Sequence, residues 1–227
     1  MIIKRYRSVV TSLKSPGGGT YTLEFQSLKG GYKFAPGQFL HLALDSDYDG
    51  TGQWPESRCF SMQSNPDETN IRITYAVKGR FTTMMETHLR EGSEVWLKLP
   101  YGDLFTRDHI KVNTVFIAGG TGITPFLSLF THESFSGYSN PKIYLGFRSS
   151  EHNTYKAELN RLCNRHHYLR FWYQDVDGPI NIQQIYKENG PNPDYFISGP
   201  PEMIKTFTSH LIENGIPDSQ VKTDDWE

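Results

Sequence analysis

Cysteine is scarce: the 227 residues contain two, Cys59 and Cys163. An all-cysteine iron–sulfur or zinc site takes four thiolates, so these residues alone cannot supply one, and no metal site is expected. An excess of positive charge is also missing. The 23 Lys and Arg stand against 25 Asp and Glu, a formal net charge of −2, which leaves no electrostatic footprint for nucleic acid. No run approaches the ~18 apolar residues of a membrane-spanning helix. The opening MIIKRYRSVVT has no apolar core of signal-peptide length, so a cytoplasmic protein is the expectation. Aromatic side chains, by contrast, are plentiful. The 14 Phe, 13 Tyr and 4 Trp can fill cores and exclude wholesale disorder. At roughly 100–200 residues per domain, the length suits two compact domains.

The two halves follow different patterns. Up to Arg107, short alternating runs are separated by turn residues. Tyr21, Leu23 and Phe25 alternate after Gly17-Gly18-Gly19, and Ile71, Ile73, Tyr75 and Val77 after Asn65-Pro66-Asp67. Val95, Leu97 and Leu99 alternate before Pro100, Phe39 to Leu44 follows Pro36-Gly37, and Thr82 to Leu89 is a helix-like interlude. Residues 1–107 are therefore expected to form an antiparallel, Greek-key β-barrel. From Thr114 strands and helices alternate. Thr114–Ala118, Lys142–Phe147, Leu169–Tyr173 and Tyr195–Ser198 are predicted strands, and Gln220–Trp226 is a candidate last one. Helices are predicted at Pro125–Phe130, Tyr155–Leu162 and Glu202–Leu211. Residues 108–227 thus read as an α/β domain with a doubly wound parallel sheet.

Three segments carry chemistry. In Phe116 to Pro125 a buried strand runs into Gly119, Gly120 and Gly122 and then a helix. Glycines let a backbone approach a ligand, and a helix N-terminus offers free N–H groups to phosphate. No Lys follows the last glycine, so it is not a P-loop, and Pro125 stands where a Rossmann fingerprint has its third glycine. Tyr195 to Met203 repeats the logic through Ser198-Gly199-Pro200-Pro201. Parallel strands put both turns at one carboxyl edge, where open α/β sheets bind ligands. Arg58-Cys59-Phe60-Ser61 joins a phosphate-clamping cation, an aromatic plane and a hydroxyl on one short strand. Alone, the first segment is as compatible with a tight turn as with nucleotide contact, and the other two fit a structural turn and a barrel strand better than a site.

Taken together, the segments resemble the ferredoxin–NAD(P)H reductase superfamily over essentially the whole chain. Phe34-x-Pro36-Gly37-Gln38-Phe39 is similar to its barrel motif, and Arg58-Cys59-Phe60-Ser61 to its flavin motif. Gly79-Arg80-Phe81-Thr82-Thr83 resembles its flavin pyrophosphate loop, and Pro100-Tyr-Gly102-Asp-Leu104 its barrel-closing turn. Gly119 to Pro125 and Gly199-Pro200-Pro201-x-Met203 resemble its two nicotinamide-nucleotide loops. The resemblance implies an FAD-binding barrel, 1–107, and an NAD(P)-binding domain, 108–227. Arg58 would hold the flavin phosphates, Phe60 would stack on the isoalloxazine, and Ser61 would hydrogen-bond near its N5. Cys59 belongs to the same motif. Tyr75, Ala76 and Val77 would line the ribityl chain or adenine side, and Gly79, Arg80, Phe81 and Thr82 would complete the pyrophosphate cradle. Thr121 and Ser198 would border the nicotinamide. Asp224 and Trp226 look like the acid and aromatic that end the family near the flavin.

The implied reaction is hydride transfer from NAD(P)H to FAD, with electrons passing to a separate redox protein such as a ferredoxin, flavodoxin or oxygenase component. Alternatives are a reductase of small diffusible acceptors (free flavin, ferric chelates) and a non-catalytic flavin- or nucleotide-binding subunit of a larger complex. The phosphate loop resembles FAD-type members, which favours FAD over FMN. Arg148 is placed to reach a 2′-phosphate or the adenosine diphosphate. The acidic Asp175-Val176-Asp177 would repel a 2′-phosphate, which favours NADH over NADPH. Ser198 stands where the family often has Cys. Two further signals are discounted. His166-His167 lacks ligand spacing. Asp45, Asp47, Asp49, Gly50 and Glu56 match a calcium-loop spacing, but Pro55 and the want of flanking amphipathic helices favour a solvated loop.

Overall fold

A computed structural model describes residues 2–45, 47–163 and 168–224, Cys163 by its backbone only. Trp226 and His166-His167 lie outside the described residues. The chain divides into two compact units, Met1–Asp103 with Leu127–His132, and Leu104–Phe126 with Glu133–Glu227.

The first unit holds β1 (Lys4–Gly17), β2 (Thr20–Ser27), β3 (Phe39–Ala43), β4 (Ser57–Ser61), β5 (Ile71–Ala76), α1 (Arg80–His88) and β6 (Glu94–Tyr101). They form a six-stranded sheet in the order β4-β3-β6-β1-β2-β5. Every pairing is antiparallel. The return of β6 between β3 and β1 is the Greek-key step. The two edges almost close the barrel: just past β4, the Gln63 N–H donates to the Arg72 carbonyl of β5 at 2.7 Å. Alternate residues fill the interior, among them Leu23 and Phe25, Leu40 and Leu42, Ile71 and Ile73, and Leu97 and Leu99.

The 14 residues of β1 are the strand that alternation alone does not reveal. Its inward positions are Tyr6, Ser8 and Val10, so a serine interrupts the apolar series. A register shift between Val10 and Ser12 then moves the period out of step. Ser8 is fully buried, and Tyr32 Oη donates to its Oγ at 2.8 Å. Tyr32→Phe leaves that hydroxyl only a long contact to the Tyr6 carbonyl, at 3.4 Å. The expected cost is about 1–3 kcal/mol, read as a lower urea midpoint at unchanged slope. An unchanged midpoint would show that the bond contributes nothing to the barrel.

The second unit begins with β7 (Val115–Gly119), a 3-10 turn over Gly120–Ile123 and α2 (Thr124–Thr131), whose later residues group with the first unit. It continues with β8 (Lys142–Phe147), α3 (Lys156–Cys163), β9 (Tyr168–Tyr173), α4 (Gln174–Asp177) and α5 (Ile182–Asn189). It ends with β10 (Tyr195–Ser198), α6 (Pro201–Glu213) and β11 (Val221–Thr223). The sheet order is β11-β10-β7-β8-β9, all parallel. Both faces are covered, as a parallel sheet requires. Val115, Ile117, Tyr195 and Ile197 pack with Ile182, Ile185, Phe207 and Leu211 of α5 and α6. Phe116 and Phe196 point the other way and stack at 5.4 Å, with Phe126 and Phe105 against them. Helix α5 escapes the sequence reading although its signals are present: the Asn181 side chain accepts from Gln184 N at 3.0 Å, and Gly190 ends the helix.

Candidate functional site

In the first unit, a strand end and a helix start bring cations together. Strand β4 runs from the surface inward: Arg58 is exposed at its start, while Phe60, on the same face, and Ser61 at its end are buried. The Arg58 guanidinium lies 5.2 Å over the Phe81 ring, and its Nη1 donates to the Ser57 carbonyl at 2.8 Å. Arg80, the first residue of α1, donates to Glu56 Oε1 at 2.6 Å and also to Oε2. Arg58 Nη2 is 3.4 Å from Glu56 Oε1. The hydrogen bond from Arg80, reinforced by both cations, holds the Glu56 carboxyl below the usual carboxylate range.

The start of α1 is organised by one hydroxyl. Thr82 Oγ1 accepts from the Lys78 and Gly79 N–H groups, at 2.9 and 3.1 Å, and donates to the Gly79 carbonyl at 3.0 Å. Thr82 therefore shapes the loop, while the N–H groups of Arg80 and Phe81 have no acceptor within the helix. Nothing lies within 4 Å of where a side chain at Gly79 would begin. This open, doubly cationic helix start fits a pyrophosphate group.

The rest of the expected flavin set is more spread out. Phe60 packs edge-on to Tyr75, with ring centroids 6.0 Å apart. Tyr75 is a core residue, 3% exposed, stacked on Tyr21 at 5.5 Å. Its position backs Phe60, and the half-buried Ala76 and Val77 are what the strand presents beyond it. The Cys59 side chain turns to the other face of β4, where Sγ lies 3.5 Å from His41 Nε2. Burial raises the Cys59 thiol and lowers the His41 imidazole, so the two meet as neutral groups. In the acidic loop, Asp45 accepts from Asp47 N, and Asp49 from Thr51 N and Oγ1. Glu56 is likewise taken up by the guanidinium pair.

In the second unit the carboxyl edge of the sheet joins the two glycine turns directly. A Cβ placed on Gly122 would lie 2.5 Å from both Cα and N of Gly199. One on Gly119 would meet Met203 Sδ at 2.9 Å and Pro200 Cδ at 3.1 Å. The reason for these glycines is thus mutual packing of the loops. Gly120 is the one expected for close approach that keeps open space, at φ +55° with nothing within 4 Å. Thr121 is half-buried beside it, its carbonyl accepting from Thr124 Oγ1 at 2.9 Å. Ser198, almost fully buried at the end of β10, donates to Asp224 Oδ2 at 3.2 Å. Asp224 is placed there by β11, its N–H bonded to the Ile197 carbonyl at 3.0 Å. Arg148 is exposed after β8, and its carbonyl accepts from Asp175 N at 3.1 Å. Asp177 is occupied locally, accepting from Tyr173 N at 3.0 Å, whereas the Asp175 side chain is exposed.

Among the described residues no helix is long and apolar enough to cross a membrane. A family model, the oxidoreductase NAD-binding domain, matches residues 116–209. The chain is 29% identical over 211 residues to the reductase component of propane 2-monooxygenase from Mycolicibacterium smegmatis, covering 85% of this chain and 59% of that protein. It is 30% identical over 182 residues to the ferredoxin–NAD(P)(+) reductase component of the naphthalene 1,2-dioxygenase system of Pseudomonas putida, covering 78% of this chain and 52% of the relative. The chain thus spans rather more than half the length of the curated relatives it matches. In fold it is similar to a ferredoxin NADP+ reductase from Neisseria gonorrhoeae solved with bound FAD and NADP. That likeness has a TM-score of 0.80 at 17% identity and covers 98% of each chain. A barrel with a cationic helix start, a parallel sheet with paired glycine turns, and these relatives together make the chain similar to the ferredoxin–NAD(P)H reductase superfamily.

Proposed function

We propose that this chain takes hydride from NAD(P)H onto FAD and passes the electrons to a separate acceptor such as a ferredoxin, flavodoxin or oxygenase component. The observation that carries the reading is the convergence of Arg58 and Arg80 at the open start of α1. Two guanidiniums and free helix N–H groups are a donor set for a pyrophosphate. FAD would supply two-electron acceptance and one-electron release, and the protein supplies position and electrostatics. Phe60 offers its ring to the isoalloxazine, and Ser61 a hydroxyl beside it. Thr121, Ser198 and Asp224 form the polar border for the nicotinamide, with Ser198 oriented by Asp224. We assign NADH as the donor on the exposed Asp175, whose carboxylate would repel a 2′-phosphate and can accept from a 2′-hydroxyl.

Anaerobic titration tests the whole reading. Purified protein reconstituted with FAD should bleach at 450 nm on adding NADH, at lower concentration than with NADPH, and recover its colour with a ferredoxin. A protein that binds no flavin sinks the proposal. Flavin held firmly but never bleached by either nucleotide would make it a binding subunit instead. Arg58→Ala should weaken FAD binding about 10- to 100-fold, the effect of losing a charge-assisted phosphate contact. Unchanged affinity would move the phosphate site elsewhere.

A further inference from the structure

We infer that Glu56 is a tethered competitor for the flavin phosphates: its carboxylate holds Arg58 and Arg80 in the absence of FAD and swings aside when the pyrophosphate binds. The inference rests on the FAD reading above. A carboxylate and a phosphate ask the same forked geometry of a guanidinium. Glu56 meets that demand at Arg80, through both oxygens, and lies within ion-pair reach of Arg58. Side-chain exposures of 46%, 52% and 69% for Glu56, Arg58 and Arg80 leave the cluster open to water. Exposed pairs of this kind contribute little, so exchanging the carboxylate for a ligand oxygen is cheap.

Two features make exchange, rather than bracing, the role of Glu56. Arg58 is held without it, by the Ser57 carbonyl at 2.8 Å and the Phe81 ring at 5.2 Å. The side chains on either side of Glu56 are held apart from it, Trp54 Nε1 donating to Ser57 Oγ at 2.9 Å, so the carboxylate can leave without breaking that bond. Once displaced, its negative charge stays two residues from Arg58 and close to the incoming phosphates. Glu56 thus both occupies the site and repels the ligand that takes it.

The test is fluorescence titration of the 227-residue apoprotein with FAD, for the wild type, Glu56→Gln, Glu56→Asp, Arg58→Ala and Arg80→Ala. Glu56→Gln should tighten FAD binding about three- to ten-fold, and inorganic pyrophosphate should compete correspondingly better. Glu56→Asp keeps the charge and should stay within about two-fold of the wild type. FAD binding that is unchanged or weaker in Glu56→Gln overturns the inference while leaving the flavin site standing, because Glu56 would then be a brace or a bystander. Equal tightening in Glu56→Asp overturns the charge argument. If neither arginine variant loses affinity for FAD, the placement of the phosphates fails, and this inference with it. A thermal melt of each apoprotein checks folding: with all three side chains exposed, the variants should melt with the wild type.

Discussion

Gly122→Ala is expected to destabilise the parallel-sheet unit by about 3 kcal/mol or more, the upper end of overpacking costs, and to lower its melting transition accordingly. The added methyl would stand 2.5 Å from Gly199 Cα and N and 2.6 Å from the Ser198 carbonyl carbon. All three are backbone atoms, and Ser198 is fixed in the ladder opposite Ala118 of β7. No side-chain rotation relieves the clash, so one glycine turn must leave the other. Neighbouring glycines provide the scale. Gly119→Ala meets Met203, a flexible side chain, and should cost less. Gly120→Ala meets nothing but bears the strain of φ +55°, about 1–2 kcal/mol. Calorimetry on the three variants should therefore rank Gly122 as the most damaging. If Gly120→Ala proves worse than Gly122→Ala, the loops are not packed backbone to backbone. The consequence for function is direct. Any nicotinamide kinetics measured on a Gly122 variant would report a displaced Ser198 as much as a blocked ligand.

This difference between seeing a glycine and knowing its purpose runs through the molecule. The ends of β8 and β10 are legible because continuous apolar runs are bounded by turn residues, the mark of strands buried on both faces. The carboxyl-edge placement of Gly119 to Gly122 and Gly199 follows from parallel topology. That a side chain on Gly122 would strike Gly199 depends on a contact between distant segments that no local pattern encodes. Strand β1 is hidden by the buried hydroxyl of Ser8 and a register shift. Glu56 is visible only as the last position of a cation-loop pattern, whereas three dimensions pair it with Arg58 and Arg80. Ser198 and Asp224 are each singled out by motif, one at the nicotinamide and one near the flavin, but their hydrogen bond to each other is not. Asp194 belongs to no motif, and its importance emerges only from what is buried around it.

Asp194→Ala is expected to cost about 3–5 kcal/mol, the penalty for leaving one member of a buried ion pair alone. Asp194 and Lys222 are 3% and 7% exposed, and Lys222 Nζ lies 3.4 Å from Asp194 Oδ2. The same oxygen accepts from Ile110 N at 2.7 Å, while the Asp194 backbone carbonyl accepts from Val115 N at 2.9 Å. Lys222 also donates to the Ser219 carbonyl at 2.6 Å. One carboxylate therefore gathers the approach to β7, the start of β10 and the edge strand β11. Lys222→Met should lie at the lower end of the range, because Asp194 keeps the Ile110 N–H. Replacing both residues by apolar ones of similar volume should recover much of the loss. At roughly 2–4 °C per kcal/mol for a chain of this size, the single Asp194 variant should melt about 6–20 °C lower. A fall of under about 3 °C would mean that water reaches the pair and screens it. Strand β11 has three residues, and Asp224 follows it directly onto Ser198. Loosening Lys222 should therefore release that acid from Ser198, at the proposed nicotinamide border. The Lys222→Met variant, assayed well below its melting temperature, is expected to lose turnover with NADH while its flavin binding stays at the wild-type level.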